Sequence, residues 1–152
     1  MESYRITHDF VGLVKAFEAV PDKTQKMVEE QLKKAVRDIK EYASDHHRYT
    51  SRSTVLEREG IITDVKDNVG TVALNPGIPY AVYVHEGTKP HIIEPRNKMA
   101  LRWAARGEFV FAKRVNHPGT EKDQFLYDAA ENEMPKIQSR FENALESLLG
   151  AL

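Results

Sequence analysis

The stretch YAVYVHEGTKPHII, Tyr80 to Ile93, holds His85, Glu86 and His91 within seven residues. Imidazole and carboxylate groups are the side chains that ligate metals and move protons near neutral pH. A metal helix of the H-E-x-x-H kind needs two histidines four residues apart, so that both rings face one cation. Here His85 and His91 stand six apart, with Gly87 and Pro90 between them. That spacing cannot place both on one helical face. His46 and His47 are adjacent, so their rings diverge, and His117 opens HPGT, which reads as a turn. A composite site of His85, Glu86, His91 and His117 would require strands and turns to converge. It defines an alternative reading, a metal-dependent hydrolase. The plainer reading is that His85 and Glu86 cap or hydrogen-bond the Gly87-Thr88 turn.

Other chemistries have less to stand on. The chain contains no G-x-x-x-x-G-K-[ST], no G-x-G-x-x-G and no G-x-S-x-G, the spacings that build phosphate cradles and nucleophile elbows. Cysteine is absent, which removes disulfides, thiolate nucleophiles and cysteine-based zinc sites together. No enzymatic activity and no cofactor are expected.

A second constellation is basic and aromatic. Arg102, Trp103, Arg106, Phe109, Phe111, Lys113 and Arg114 crowd one short region. Such a set serves single-stranded nucleic acid, with stacking and charge, or a protein interface, where Trp and Arg are over-represented. It also suits an edge hairpin whose charges block unwanted strand pairing. By residue type alone the solvated edge ranks first, a protein interface second and a nucleic-acid-binding module, through Arg102, Arg106 and Arg114, third.

These residues must be held by elements that the hydropathy pattern outlines. From Asp22 to His47, Val28, Leu32, Ala35, Val36, Ile39, Tyr42 and Ala43 recur at spacings of three and four, which predicts a helix roughly 35–40 Å long. A shorter amphipathic helix is expected before it, Thr7 to Ala19, with Phe10, Leu13, Val14 and Phe17 inward. GIITDV and TVALN flank Asp67, Asn68 and Gly70, turn formers that predict an antiparallel hairpin. Pro76-Gly77 suits a type II turn with left-handed glycine. Ile78, Ala81, Val82 and His85 predict a two-turn helix ended by Gly87. MALRWA and EFVFAKRV around Ala105-Arg106-Gly107 predict a second hairpin, with Phe109, Phe111 and Lys113 on one face and Val110, Ala112 and Arg114 on the other. Pro118-Gly119 repeats the earlier turn signal. The C-terminal segment is helical, through Phe125, Leu126, Ala129, Ile137, Phe141, Leu145 and Leu148, with Pro135 expected to break or bend it. The order α-α-β-β-α-β-β-α predicts an α+β fold: a small mixed, mainly antiparallel sheet with two hairpins, packed by a long N-terminal helix and C-terminal helices. No linker divides residues 1–152, so a single domain is expected.

The composition of these 152 residues, 41% hydrophobic and 30% charged, is that of a globular protein. A net charge of −1 gives no bulk positive field for nucleic acid. Neither a leader-like N-terminus nor an apolar run near the ~20 residues of a membrane span is visible, and an intracellular protein without membrane contact is expected.

Read in order, the long N-terminal helix, YTSRSTVLEREGI, YAVYVHEGT, the hairpin leading to HPGT, and QFLYDAA resemble the minor tail-component family of long-tailed bacteriophages, the head–tail joining or tail-completion proteins. The family's tyrosine-led segment ending in a Glu-x-Gly-Thr-like turn is matched by Tyr80, Tyr83, Glu86, Gly87 and Thr88. Its Pro-Phe-Leu-x-x-Ala helix start is matched by Phe125, Leu126 and Ala129, with Gln124 in place of proline. The similarity runs from Tyr49 to Ala130. It departs at Ser53-Thr54-Val55-Leu56, where the family often has Thr-Gly-x-Leu. The resemblance implies a virion structural protein of the neck, made in the host bacterial cytoplasm. It would assemble as a hexameric or dodecameric ring between head-side connector or adaptor proteins and the tail terminator or tail tube, near channel DNA. It supplies no catalytic residues. It makes Glu86, Gly87, Thr88, Pro118 and Gly119 structural turns and leaves Arg102, Trp103, Arg106, Phe109, Phe111 and Lys113 as the candidate protein contact.

Overall fold

The structure, a computed structural model, describes residues 5–8, 22–50 and 54–149. Helix α1 spans Asp22–Asp45 and buries the stripe read from the sequence: Val28, Leu32, Ala35, Val36, Ile39 and Ala43. The other long helix, Phe125–Leu149 (called α4), buries Phe125, Leu126, Ala129, Ala130, Ile137 and Phe141. These two helices form the most extensive contact among the described elements. An ion pair from Arg140 Nη1 to Asp38 Oδ2 at 2.5 Å crosses between them. Pro135 does not break α4, which runs through it. Proline costs the helix one N–H bond, to the carbonyl of Glu131. Both residues lie on the exposed side, where water can take that carbonyl.

The described strands form three sheets, and every described pairing is antiparallel. Strands β2 (Ile61–Lys66) and β3 (Val69–Leu74) form the first expected hairpin, and the sheet that holds them packs on α1. Its turn is two residues, Asp67 and Asn68, at φ 52° and 61°, the left-handed pair that matches strand twist. Gly70 is not part of that turn. It lies within β3 opposite Val65, where a Cβ would stand 2.8 Å from Val36 Cγ1, so a bare backbone lets α1 close on the sheet.

On the other edge of β3 lies β1, Arg5–His8. The sequence pattern placed Thr7 and His8 at the start of a helix; they pair instead with Thr71 and Gly70. The unpaired donors and acceptors of β3 supply the reason, a long-range demand that local periodicity does not carry. The remainder of that expected helix lies outside the described residues.

A short helix α2 (Val55–Glu59) buries Leu56 ahead of β2. After β3 the chain turns at Asn75–Ile78, with Ile78 N donating to Asn75 O at 3.0 Å. Gly77 is not left-handed as the type II expectation required; positive φ among the described glycines occurs at Gly87, Gly107 and Gly119. The Asn75 side chain decides this, because its Oδ1 accepts the Gly77 N–H at 2.9 Å, an Asx turn. Helix α3 (Tyr80–Glu86) follows, buries Ala81 and His85, and ends at Gly87 with φ 72°.

The two turns singled out in the sequence are joined to each other. Thr88 and Thr120 exchange backbone hydrogen bonds of 2.9 and 3.1 Å, so Glu86-Gly87-Thr88 and Pro118-Gly119 form one bridge. Two further strands, β4 (His91–Ile93) and β7 (Val115–His117), pair beside it. Neither was anticipated, because three residues are too few to show alternation. His117 ends β7 and leads directly into the Pro118-Gly119 turn. Between them runs the second expected hairpin, β5 (Leu101–Ala105) and β6 (Glu108–Ala112). Helices on small antiparallel sheets make the fold α+β.

Candidate interaction surface

Hairpin β5–β6 turns at Arg106 and Gly107, φ 53° and 85°, again a left-handed two-residue connection. Cross-strand pairing sets its two faces. Trp103 stands opposite Val110, and Leu101 opposite Ala112; on the other face Arg102 stands opposite Phe111, and Ala104 opposite Phe109. The Arg102 guanidinium carbon lies 4.0 Å above the Phe109 ring, a cation–π contact. Phe111 is 65% exposed, Phe109 59% and Trp103 39%. Lys113 lies past the end of β6, so it does not extend the Phe109–Phe111 face as the alternation predicted.

Strands β5 and β6 contact each other and no other described element extensively. Apolar side chains are therefore exposed on both faces of a two-stranded unit, and such a unit is marginal in water on its own. At its base, a groove of about 650 Å³ is lined by Pro95, Arg96, Met99, Leu101, Arg102 and Phe111; Met99 is 93% exposed. The open edges of the hairpin add unpaired backbone groups. The surface is cationic and aromatic together, and it carries the residues that the sequence named as a candidate contact.

The chain matches no family model, no curated protein and no solved structure.

The three histidines of the candidate composite site, His85, His91 and His117, occupy two separate places. His85 is buried, with its ring edge-on to Phe125 at 5.1 Å and tilted against Tyr127 at 5.2 Å, and Nδ1 is 2.8 Å from Glu86 Oε1. His91 and His117 are cross-strand partners in β4–β7 with ring centroids 5.0 Å apart. His91 Nδ1 donates to Lys89 O at 2.9 Å, and His117 Nδ1 accepts from Gly119 N at 3.1 Å. So the fold pairs His91 with His117, and His85 with Glu86, each within turn or core contacts. Among the described residues no group of three or more metal-ligating side chains comes together.

One anchoring residue escaped the sequence reading. Asp123 is buried just ahead of α4, and its Oδ2 accepts the backbone N–H groups of Arg48 (2.5 Å) and Tyr49 (2.7 Å). Oδ1 lies 3.3 Å from Arg48 Nε, and the Asp123 N–H donates to Val84 O at 3.2 Å. One residue thus ties the loop after α1 to α3 at the start of α4, its carboxylate holding the loop and its backbone N–H holding Val84. Tyr49 stacks on His47 at 3.8 Å and meets Phe125 edge-on. Burial first, then the Glu57 carboxylate, push its phenol well above the ordinary tyrosine value, so it stays a donor. A cavity of about 580 Å³ opens beside these groups, lined among others by Tyr49, Glu57, Tyr80 and Asp123. An acid just before a helix is a recognisable start signal, but its partners stand 74 and 75 residues away.

Proposed function

We propose that this chain is a virion structural protein of a long-tailed phage or phage-like particle, acting at the head–tail junction as a ring that completes the tail and joins it to the head connector. The observation that carries this reading is the β5–β6 hairpin, which exposes Trp103 and Val110 on one face and Phe109 and Phe111 on the other. Contacts made by such an arm to a different surface of the next copy are heterologous and close into a ring when the rotation allows. The ordered resemblance from Tyr49 to Ala130 supplies the location. In this reading the chain has no catalytic role. The joined Glu86-Gly87-Thr88 and Pro118-Gly119 turns are framework. The partners are further copies in a sixfold or twelvefold ring, the tail terminator or tube protein, and head-side connectors.

Electron microscopy of lysates from the parent element with this gene deleted tests the function. Separate full heads and free tails are expected; normally joined particles would defeat the neck reading. A point substitution tests the surface. Trp103→Ala is expected to leave the melting temperature of the isolated chain within about 2 °C, as for a surface change, while lowering the yield of joined particles. A variant that unfolds, or one that assembles normally, removes the hairpin from this role.

A further inference from the structure

We infer that the β5–β6 hairpin of one copy docks on the outer face of α4 of the next, a cationic and aromatic arm on an anionic helix. The inference rests on the ring reading above and names the surface that receives the arm.

Charge is divided unevenly along the chain. Residues 94–114, which carry the hairpin, contain six basic and two acidic side chains, a net of +4; residues 121–149, which carry α4, contain three basic and seven acidic, a net of −4. The whole chain sits at −1, so the imbalance is internal, equal and opposite.

The acidic half is also placed to receive a partner. Tyr127, Glu131, Gln138, Glu142 and Leu149 follow at spacings of four, seven, four and seven, which puts them on one stripe of α4. All five are exposed, and the stripe is turned away from the side that packs on α1. Two basic residues of α4 are engaged elsewhere: Lys136 holds Glu133 at 2.6 Å and Arg140 holds Asp38. They do not neutralise Glu131 and Glu142. Tyr127 and Leu149, 43% and 58% exposed, give the stripe apolar ends for the hairpin's rings. The hairpin makes no extensive contact with α4 of its own chain, so the two surfaces are available to different copies.

Nucleic acid would satisfy the arginines but not the second apolar face, where Trp103 and Val110 stand. A helix surface beside its neighbouring loops can cover both faces of an arm. The docking patches differ between the two partners, the heterologous case that propagates around a ring.

The test is sedimentation velocity of the purified full chain from micromolar to near-millimolar concentration, at low and high salt, for four proteins. These are the wild type, Arg102→Glu with Arg106→Glu, Glu131→Lys with Glu142→Lys, and all four changes together; thermal melts confirm that each is folded. Wild type is expected to associate more weakly as salt rises. Either pair of reversals should weaken association by at least ~30-fold, the scale of truncating close interfacial charge pairs, and the quadruple variant should recover most of it. A wild type that stays monomeric throughout, or a quadruple variant no better than the pairs, overturns the docking. So does a hairpin that instead holds a single-stranded oligonucleotide, lost in the Arg102→Glu, Arg106→Glu protein, without association. The deletion phenotype reports separately on the neck, so a failed docking surface and a failed function are told apart.

Discussion

Asp123→Ala is expected to lower the unfolding free energy by about 3 kcal/mol or more and the melting temperature by about 6–12 °C. Its carboxylate accepts two backbone N–H groups and faces a guanidinium, and hydrogen bonds to a charged group are each worth about 1.5–3 kcal/mol. Removing the acceptor leaves the Arg48 and Tyr49 amides without their partner in a half-buried corner. The consequence goes beyond those bonds. The Tyr49 N–H is one of the two donors released, so the Tyr49 ring should also lose its seat against Phe125, while the backbone bond from residue 123 to Val84 survives. Asp123→Asn, which keeps one oxygen to accept, is expected to lose roughly half as much. Thermal and denaturant unfolding of the three proteins decide the matter. A shift below about 2 °C for the alanine variant would mean that water replaces the carboxylate freely, and the anchor would then be incidental.

The second large effect is expected at Gly119, by comparison with Gly107. Both glycines hold a left-handed φ, 92° and 85°, a region that costs an L-residue roughly 1–2 kcal/mol. Their surroundings differ. A Cβ at Gly119 would stand 2.2 Å from the Thr88 carbonyl oxygen, whereas at Gly107 nothing lies within 4 Å. Gly107→Ala should therefore cost about 1 kcal/mol, the backbone term alone. Gly119→Ala must in addition push the Thr88–Thr120 bridge apart, and a loss on the order of 3–4 kcal/mol is expected. Amide exchange at Thr88 and Thr120, read beside the melting temperature, locates the damage. Equal losses from the two substitutions would show that the bridge yields without resistance. Because the bridge sits beside β4–β7, at the base of the hairpin, Gly119→Ala should also loosen the arm that the proposed ring depends on.

How far the sequence reaches depends on the range over which each feature is decided. The long helices were legible because an apolar stripe repeated over more than twenty residues admits one period. Asp67, Asn68 and Gly70, and likewise Ala105-Arg106-Gly107, announced hairpins because turn formers between two apolar runs leave little other choice, and the fold narrows each turn to two left-handed residues. Gly77 was misread for a local reason: the neighbouring Asn75 amide accepts its N–H and sets the turn, so Pro-Gly alone did not determine the geometry. β1, β4 and β7 were not legible at all. Each is three or four residues long and exists because another strand offers an unpaired edge.

The candidate surface divides in the same way. Its residue types, basic beside aromatic on the Trp103–Phe111 segment, were plain in the sequence, and so was their placement on a two-stranded hairpin. That no other described element packs extensively on the hairpin could not be read there, because exposure is a property of what packs nearby. Likewise His85, Glu86, His91 and His117 were visible as candidates in the chain, while the fold sends His85 into the core against Phe125 and sets His91 beside His117 across two strands. Asp123 reads as an ordinary acid before a helix until Arg48 and Tyr49 are folded onto it. By itself the sequence determined the long periodic helices, the two hairpins and the division of charge between hairpin and C-terminal helix, all set by neighbours within a few residues or by composition. Only the tertiary structure decided which edges pair, which turns lock together and which side chains remain uncovered, because those depend on contacts between residues far apart in the chain.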